Sequence, residues 1–100
     1  MTIKLVSRDT EGELIIEGSL DSVTTPEAEE IFKAASERFD MVILDLKKLE
    51  YISSAGLRAL KQLHIGMKKK NGKMTLKNIQ PMVMEVLEMT GFAGLFSIAR

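Results

Sequence analysis

The sequence contains no cysteine and no tryptophan, and its only histidine is His64. Without thiols, disulfides and thiolate metal sites are excluded, and a zinc site would depend on carboxylates to complete it. No apolar run approaches the roughly 18 residues that cross a membrane, and residues 1–5 lack the pattern of a signal peptide. We therefore predict a soluble, cytoplasmic protein with no metal, no cofactor and no membrane contact.

Neither sign of charge is in excess, since 14 Lys and Arg balance 14 Asp and Glu. Nucleic-acid-binding domains normally carry a clear basic excess, so nucleic acid is not a predicted partner. The one dense basic segment is Lys68-Lys69-Lys70, followed by Lys73 and Lys77. It could bind an anionic surface, but we favour a solvated helix end. No aromatic residues alternate with these lysines, and cations suit the negative pole of a helix.

One hundred residues, 45% of them apolar, predict a single globular domain spanning 1–100. Residues 2–7 and 13–17 read as an antiparallel hairpin joined by a longer loop at 8–12. Leu14-Ile15-Ile16 is predicted to be buried on both faces. Met41–Leu46 is an almost continuous apolar run, typical of a central strand that is covered on both faces.

Three helices are predicted between and after the strands. Thr25 is the expected N-cap of the first, with Pro26 at its first position. The second begins at Ser53 or Ser54, and the third begins at Pro81. The predicted apolar stripes are Ala28, Ile31, Phe32, Ala35 and Phe39 on the first helix and Leu57, Leu60, Leu63, His64 and Met67 on the second.

A strand at 73–77 completes the order β-β-α-β-α-β-α, and residues 95–98 could add a short final strand. Strands separated by helices need crossover connections and therefore run parallel. The predicted fold class is α/β, with a mixed, mostly parallel sheet and an opening β-hairpin.

Function in an open α/β sheet gathers where strand carboxyl ends meet helix amino ends. Asp21 follows the second strand, Asp45 lies near the end of the central strand, and Ser53-Ser54 opens the second helix. We expect these residues to lie along one edge. As paired carboxylates, Asp21 and Asp45 are more typical of caps or turns than of acid–base chemistry.

Known catalytic patterns do not fit these residues. Ser54 lacks the upstream glycine of the G-x-S-x-G elbow, and His64 lies roughly 15 Å along the same helix, too far to act as its base. The phosphate-binding patterns G-x-x-x-x-G-K-[ST] and G-x-G-x-x-G are absent. His64 is predicted to be a packed residue at the core edge. The methionines Met82, Met84 and Met89 read as core and edge filler, with a flexible partner-binding surface as the alternative.

Ser53-Ser54-Ala55-Gly56 has two interpretations. A helix cap followed by two small residues explains one serine and the close packing of a helix on a sheet. It does not explain the second serine, which would be available for a binding switch. These residues alone leave open which serine caps the helix.

The run from Asp45 to Leu57 closely resembles the signature of STAS domains, in particular the stand-alone bacterial anti-sigma factor antagonists. The signature has a buried strand ending in Asp-Leu, then an aromatic and an aliphatic residue, and then a serine before a small residue and Gly-Leu. Gly18-Ser19-Leu20-Asp21, Leu76–Pro81 and Thr90-Gly91-Phe92 resemble further landmarks of the family.

The resemblance implies a non-enzymatic partner switch. Ser54 corresponds to the serine that is phosphorylated by the partner, an anti-sigma factor with serine kinase activity, and a protein serine phosphatase resets it. The unphosphorylated form binds the anti-sigma factor, and the phosphorylated form releases it. Ser53 stands where many members carry Asp, which makes it the second-choice phosphosite. The implied partner surface consists of Asp21, Tyr51, Ser53, Ser54, Ala55, Gly56 and Arg58, on a monomer or weak dimer.

Two other functions remain open at this point. Asp45 could accept phosphate as in an aspartyl-phosphate receiver, although the acidic pair and the late lysine of such a site are missing. The chain could also be a non-phosphorylated structural or nucleotide-sensing member of the same family, with Asp21 and Asp45 at the nucleotide or switch edge.

Overall fold

The computed structural model describes residues 1–99. In chain order the elements are β1 (Thr2–Arg8), β2 (Glu11–Leu20), α1 (Thr25–Arg38), β3 (Met41–Ile52), α2 (Ser54–Lys69), β4 (Lys73–Lys77), α3 (Pro81–Met89), a 3₁₀ turn (Phe92–Gly94) and β5 (Ser97–Ile98). The predicted order, including the short final strand, is confirmed. None of the helices within residues 1–99 combines the length and the apolar character that crossing a bilayer requires.

The five strands form one sheet in the order β1-β2-β3-β4-β5. β1 runs antiparallel to β2, whereas β2, β3, β4 and β5 run parallel to one another. Between two parallel strands the chain must cross back to the end of the sheet at which the first strand began. The helices α1, α2 and α3 form these crossover connections. The predicted mixed, mostly parallel α/β sheet is confirmed.

The connection between β1 and β2 is a tight turn. Arg8 pairs with Glu11, which leaves only Asp9 and Thr10 between the strands. Asp9 has φ 53°, a left-handed conformation that aspartate tolerates better than most residues. The predicted longer loop at 8–12 is therefore wrong, because β2 already begins at Glu11.

Only one face of the sheet is buried. Leu14 on β2 pairs with Leu44 on β3, and both side chains are buried in the core that the helices complete. Ile15 and Ile43 point to the opposite face and are only half-buried. The prediction that both strand segments are covered on both faces is therefore wrong.

Charged side chains shield this second face in place of another helical layer. Nζ of Lys77 on β4 lies 3.2 Å from Oε1 of Glu13 on β2, so the ion pair spans the intervening β3. Nζ of Lys48 on β3 lies 3.8 Å from Oε1 of Glu17 on β2. Long charged side chains can cover apolar surface with their hydrocarbon stems while their charged ends face water. A strand with apolar residues on both faces can therefore lie in a sheet with helices on one side.

The helices contribute the stripes that the sequence predicts. The buried residues are Thr25, Ala28, Phe32 and Ala35 on α1 and Gly56, Leu57, Ala59, Leu60, Leu63 and Met67 on α2, with Phe39 following α1. The half-buried ring of His64 meets Phe96 edge-on, with centroids 5.7 Å apart, which confirms a packed position at the core edge. Met82 and Met89 are 70% and 79% exposed, so the prediction that they fill the core is wrong.

The lysines at the end of α2 act at helix ends, as predicted, but Lys70 serves the neighbouring helix. Its ammonium donates to the carbonyl oxygens of Ser36 (2.9 Å) and Phe39 (3.0 Å), at the carboxyl end of α1. Lys68 and Lys69 are exposed in the last turn of α2 itself. At both positions the positive charge is stabilised by the negative pole of a helix.

Candidate functional site

β2 and β3 end side by side, and this brings two loops together. Leu20 pairs with Ile52 at the ends of the strands. The amide of Ser53 then donates to the carbonyl oxygen of Leu20 at 2.8 Å. Asp21, which follows Leu20, and the serines at the start of α2 therefore share one edge of the sheet, as the sequence predicts.

Asp45 does not belong to this edge, and its predicted place there is wrong. β3 continues for seven residues beyond Asp45, to Ile52, which is roughly 23 Å at about 3.3 Å per strand residue. Asp45 lies opposite Lys77, where β4 ends. Its Oδ1 accepts hydrogen bonds from the amide of Lys47 (3.0 Å) and from Nδ2 of Asn78 (3.2 Å). Asp45 organises the turn after β4.

The two serines have different positions at the start of α2. Ser53 is the N-cap, with extended backbone (φ −92°, ψ 175°), and its hydroxyl accepts a hydrogen bond from the amide of Gly56 at 3.3 Å. Ser54 is the first residue of the helix and is exposed. The hydroxyl of Ser53 thus stabilises the helix start, while that of Ser54 faces solvent.

Gly56 allows α2 to begin close to the sheet. A Cβ atom at this position would lie 2.8 Å from Cγ1 of Ile52, 2.9 Å from Cβ of Leu20 and 3.0 Å from the carbonyl oxygen of Leu20. Carbon atoms in ordinary contact are about 3.5–4.0 Å apart, so glycine is required here. Gly56 is buried beneath the start of α2, and its contact with a partner stays a prediction.

Asp21 shapes the loop beside the serines. Its Oδ1 accepts hydrogen bonds from the amides of Val23 and Thr24, both at 2.9 Å. The hydrogen bonds from the amides of Thr24 and then Val23 lower the pKa of the Asp21 carboxyl, which keeps it charged at neutral pH. Thr24 precedes α1 as its N-cap, so the predicted cap at Thr25 is one residue late.

Thr25 is the first residue of α1 and is buried. Its Oγ1 has no hydrogen-bond partner among the described residues. Two residues before the end of β2, Gly18 has a φ of 99° at a shift in the register of β2 against β3. Glycine is the residue that adopts this conformation without strain.

Exposed side chains on the segments around Ser54 form the remaining surface of the site. Tyr51 is 54% exposed, and Val23, in the Asp21 loop, is 84% exposed. Arg58 is exposed one helical turn after Ser54, and Ala55 is half-buried. Sequence reasoning missed Val23, although an apolar β-branched residue within a polar loop was a usable signal. The edge thus combines a solvent-facing hydroxyl with apolar and charged groups, a composition suited to binding a protein.

Metal chemistry receives no support at this edge. Within residues 1–99, no three His, Cys, Asp or Glu side chains are grouped so that they could hold an ion.

Comparisons with known proteins agree with this architecture. The family model that matches the chain is the STAS domain, over residues 3–100. BtrV of Bordetella bronchiseptica, provisionally named an anti-sigma factor antagonist, is 33% identical over 100 residues, which span 97% of this chain and 86% of BtrV. The unphosphorylated anti-sigma factor antagonist SpoIIAA shares the fold at a TM-score of 0.78 and 14% identity, covering 99% of this chain and 88% of SpoIIAA. The phosphorylated form of Bacillus SpoIIAA shares the fold at a TM-score of 0.77 and 16% identity, covering 99% of this chain and 92% of that chain. The chain belongs to the STAS domain family.

Proposed function

We propose that this chain is an anti-sigma factor antagonist whose binding to an anti-sigma factor is ended by phosphorylation of Ser54. The observation that carries the proposal is the different position of the two serines. The hydroxyl of Ser53 caps α2, whereas that of Ser54 is exposed at the first position of the helix. Ser54 can therefore be modified without loss of the cap, and Ser53 cannot.

The relatives support the same role. BtrV is provisionally named an anti-sigma factor antagonist, and SpoIIAA is an anti-sigma factor antagonist that has been observed with and without phosphate. Both forms of SpoIIAA match this fold nearly equally well, at TM-scores of 0.78 and 0.77. This agreement supports a phosphorylation that leaves the fold unchanged and acts on the binding surface.

The position of Ser54 makes phosphate compatible with the folded domain. A phosphoserine carries about −1.5 to −2 charges at neutral pH. The first helical position lies among free amide groups at the positive pole of α2, which favours that charge. We therefore expect phosphorylation to leave the stability of the domain unchanged or to raise it slightly.

The same charge would oppose binding. In a complex that covers Val23 and Tyr51, Ser54 would lie within the interface because it shares their edge of the sheet. Burying an unpaired charged group costs several kcal/mol, and about 1.4 kcal/mol corresponds to a tenfold change in affinity. Asp21, which stays ionised beside the serines, adds repulsion against acidic groups of the partner. A loss of affinity of about a hundredfold or more is expected.

Ser53 stands where many family members carry aspartate; it can cap the helix as aspartate does, but it has no negative charge. Serine and aspartate are both good N-cap residues, so the helix start is preserved. Serine has no charge, so the site carries one negative charge fewer than in family members with aspartate here. A kinase acting on this chain must accept a neutral residue immediately before the phosphorylated serine.

Site-resolved mass spectrometry after reaction with ATP and a candidate serine-kinase anti-sigma factor tests the proposal. We expect phosphate on Ser54 in the wild type and in Ser53→Ala, and none in Ser54→Ala. Binding measured by calorimetry should be retained in Ser54→Ala and about a hundredfold weaker in Ser54→Asp. Phosphate found on Ser53 in the wild type, or wild-type affinity in Ser54→Asp, would contradict the proposal.

Folding controls separate binding from stability. Ser53→Ala should lose about 1 kcal/mol of unfolding free energy, because it removes the cap. Ser54→Ala should lose almost none, because its hydroxyl is exposed and alanine is a good helix former. The phosphatase step is tested by adding a protein serine phosphatase to the phosphorylated chain, which should restore binding.

A further inference from the structure

The amino end of α2 combines a cation with an absence of acidic residues. It has no acidic residue in its first turn, and Arg58 stands in its second turn. α1 has Glu27 in its first turn and Arg38 in its last, whereas α3, like α2, has no acidic residue in its first turn. A cation gains nothing from the helix dipole in the amino-terminal half of a helix, and the dipole effect itself falls off within the first turn. Arg58 therefore stands where a cation does not serve the stability of the unmodified helix.

Arg58 also lacks an acidic residue one turn away on its own helix. Four residues before it on the helix is Ser54, three residues after it is Lys61, and four after it is Gln62. Neither of the ion pairs found within residues 1–99 includes its guanidinium. Its charge is thus unpaired while Ser54 is a plain hydroxyl.

The helix directs Arg58 towards Ser54. Side chains four residues apart lie on the same face, about 5–6 Å apart between Cβ atoms. Each Cα–Cβ bond also tilts towards the amino end of the helix, so the later side chain extends over the preceding turn. Both side chains are exposed, and Leu57, the other residue one turn from Ser54, is buried and apolar.

We propose that Arg58 is the intramolecular partner of the phosphate on Ser54, binding its oxygens through the two-pronged guanidinium. This proposal rests on Ser54 as the modified residue. A planar guanidinium matches phosphate oxygens in pairs, which a lysine ammonium does not. Phosphorylation thereby supplies the acid that the amino end of α2 lacks, and Arg58 holds the phosphate against its own helix.

Two consequences follow for the switch. The phosphate is fixed on the helix surface and is less available to a cation of the anti-sigma factor. It also keeps its second negative charge to lower pH, because a nearby cation favours the dianion. Pairing with Arg58 also lowers the cost of burying the phosphate, so release then depends on the second negative charge and on the loss of partner cations that could bind it, and no longer on an unpaired phosphate alone.

The test uses a chain that carries phosphoserine at position 54 from synthesis, so that no kinase is needed. The second ionisation of the phosphate is followed by ³¹P NMR as a function of pH in three proteins: the parent chain, Arg58→Gln and Lys61→Gln. Lys61 is the matched control, because it is the next cation on α2 but lies seven residues from Ser54. In Arg58→Gln we expect the titration midpoint to rise by about 0.3 pH unit at low salt. Lys61→Gln should change it much less, and Arg58→Lys should fall between the parent and Arg58→Gln.

Equal midpoints in the parent and Arg58→Gln would overturn the proposal, as would an equal rise in Lys61→Gln, which would indicate a general field effect. If Arg58→Gln weakened binding of the unphosphorylated chain to the anti-sigma factor and left the titration unchanged, Arg58 would be a partner contact only. Failure of the kinase to modify Ser54 would refute the proposed function. It would not affect the titration result, because that chain carries phosphoserine from synthesis. The two proposals can therefore fail separately.

Discussion

Replacing Gly56 by alanine should destabilise the domain, although alanine is the better helix former. The added Cβ would meet Ile52 and Leu20 at 2.8–3.0 Å, including the backbone oxygen of Leu20. Those atoms would have to retreat by roughly 0.5–1 Å to reach ordinary contact. Overpacking of this kind costs about 1–3 kcal/mol, against a helix-propensity gain of about 1 kcal/mol at most. The expected net loss is up to about 2 kcal/mol, with a central value of about 1 kcal/mol.

Gly66, ten positions further along the same helix, provides the matched control. A Cβ there would have its nearest neighbours, two atoms of Ser36, at 3.7 Å, which is ordinary contact. Gly66→Ala should therefore gain about 0.5–1 kcal/mol. The same chemical change in one helix is thus expected to have opposite signs at the two glycines.

Urea denaturation followed by far-ultraviolet circular dichroism measures both effects, since the helices report on unfolding and there is no tryptophan. The two variants should differ by about 2 kcal/mol, or about 10 °C in Tm for a domain of this size. If Gly56→Ala were as stable as Gly66→Ala, the close approach of α2 to the sheet would not be a constraint. Gly56 would then have no role in placing Ser54.

Three further stability predictions use the same assay. Lys70→Met removes two hydrogen bonds to the end of α1 and should cost about 1 kcal/mol, while the exposed Lys69→Met stays within about 0.5 kcal/mol; equal losses would contradict the capping role. The lowered pKa of Asp21 means that its ionised form stabilises the fold above about pH 4 and that this contribution is lost as pH falls through the lower folded value. The stability difference between wild type and Asp21→Asn should therefore shrink below pH 4, and a constant difference would refute this. Thr25→Val replaces a buried hydroxyl that lacks a partner and should gain about 1 kcal/mol, whereas Thr25→Ser should not; a loss in Thr25→Val would show that the hydroxyl is satisfied.

The sequence was sufficient to predict the order of the elements, because proline and the helical stripes locate the helices without reference to distant residues. It was not sufficient to predict the length of β3. Beyond Leu46 only Leu49 and Ile52 are buried, because the pairing of β3 with β2 shifts register there. The alternation of buried and exposed residues that is typical of a strand is therefore lost in this part of β3. For this reason Asp45 was expected at the switch edge.

Long-range contacts explain the other differences. Apolar residues on both faces of β3 predicted a layer of helices on each face of the sheet. On one face the cover is instead the ion pair of Glu13 and Lys77. These residues are far apart in the chain, so no local pattern indicates that they meet. Ser53 and Ser54 have similar preferences as caps, so only the strand register that fixes where α2 begins distinguishes them. The Asp21 loop could be predicted as a turn from its residue types alone.

The cap at Ser53 has a consequence for how a kinase would select this substrate. Ser54 already has helical backbone, and its setting depends on Leu20, far away in the sequence. A short peptide with the same residues would present the hydroxyl on a flexible chain, because short isolated helices are marginal in water. If Ser54 is the phosphosite, the kinase recognises a three-dimensional surface, and the substrate concentration is that of correctly folded molecules. Misfolded or newly synthesised chains would then be excluded from the signalling cycle until they had reached the native state.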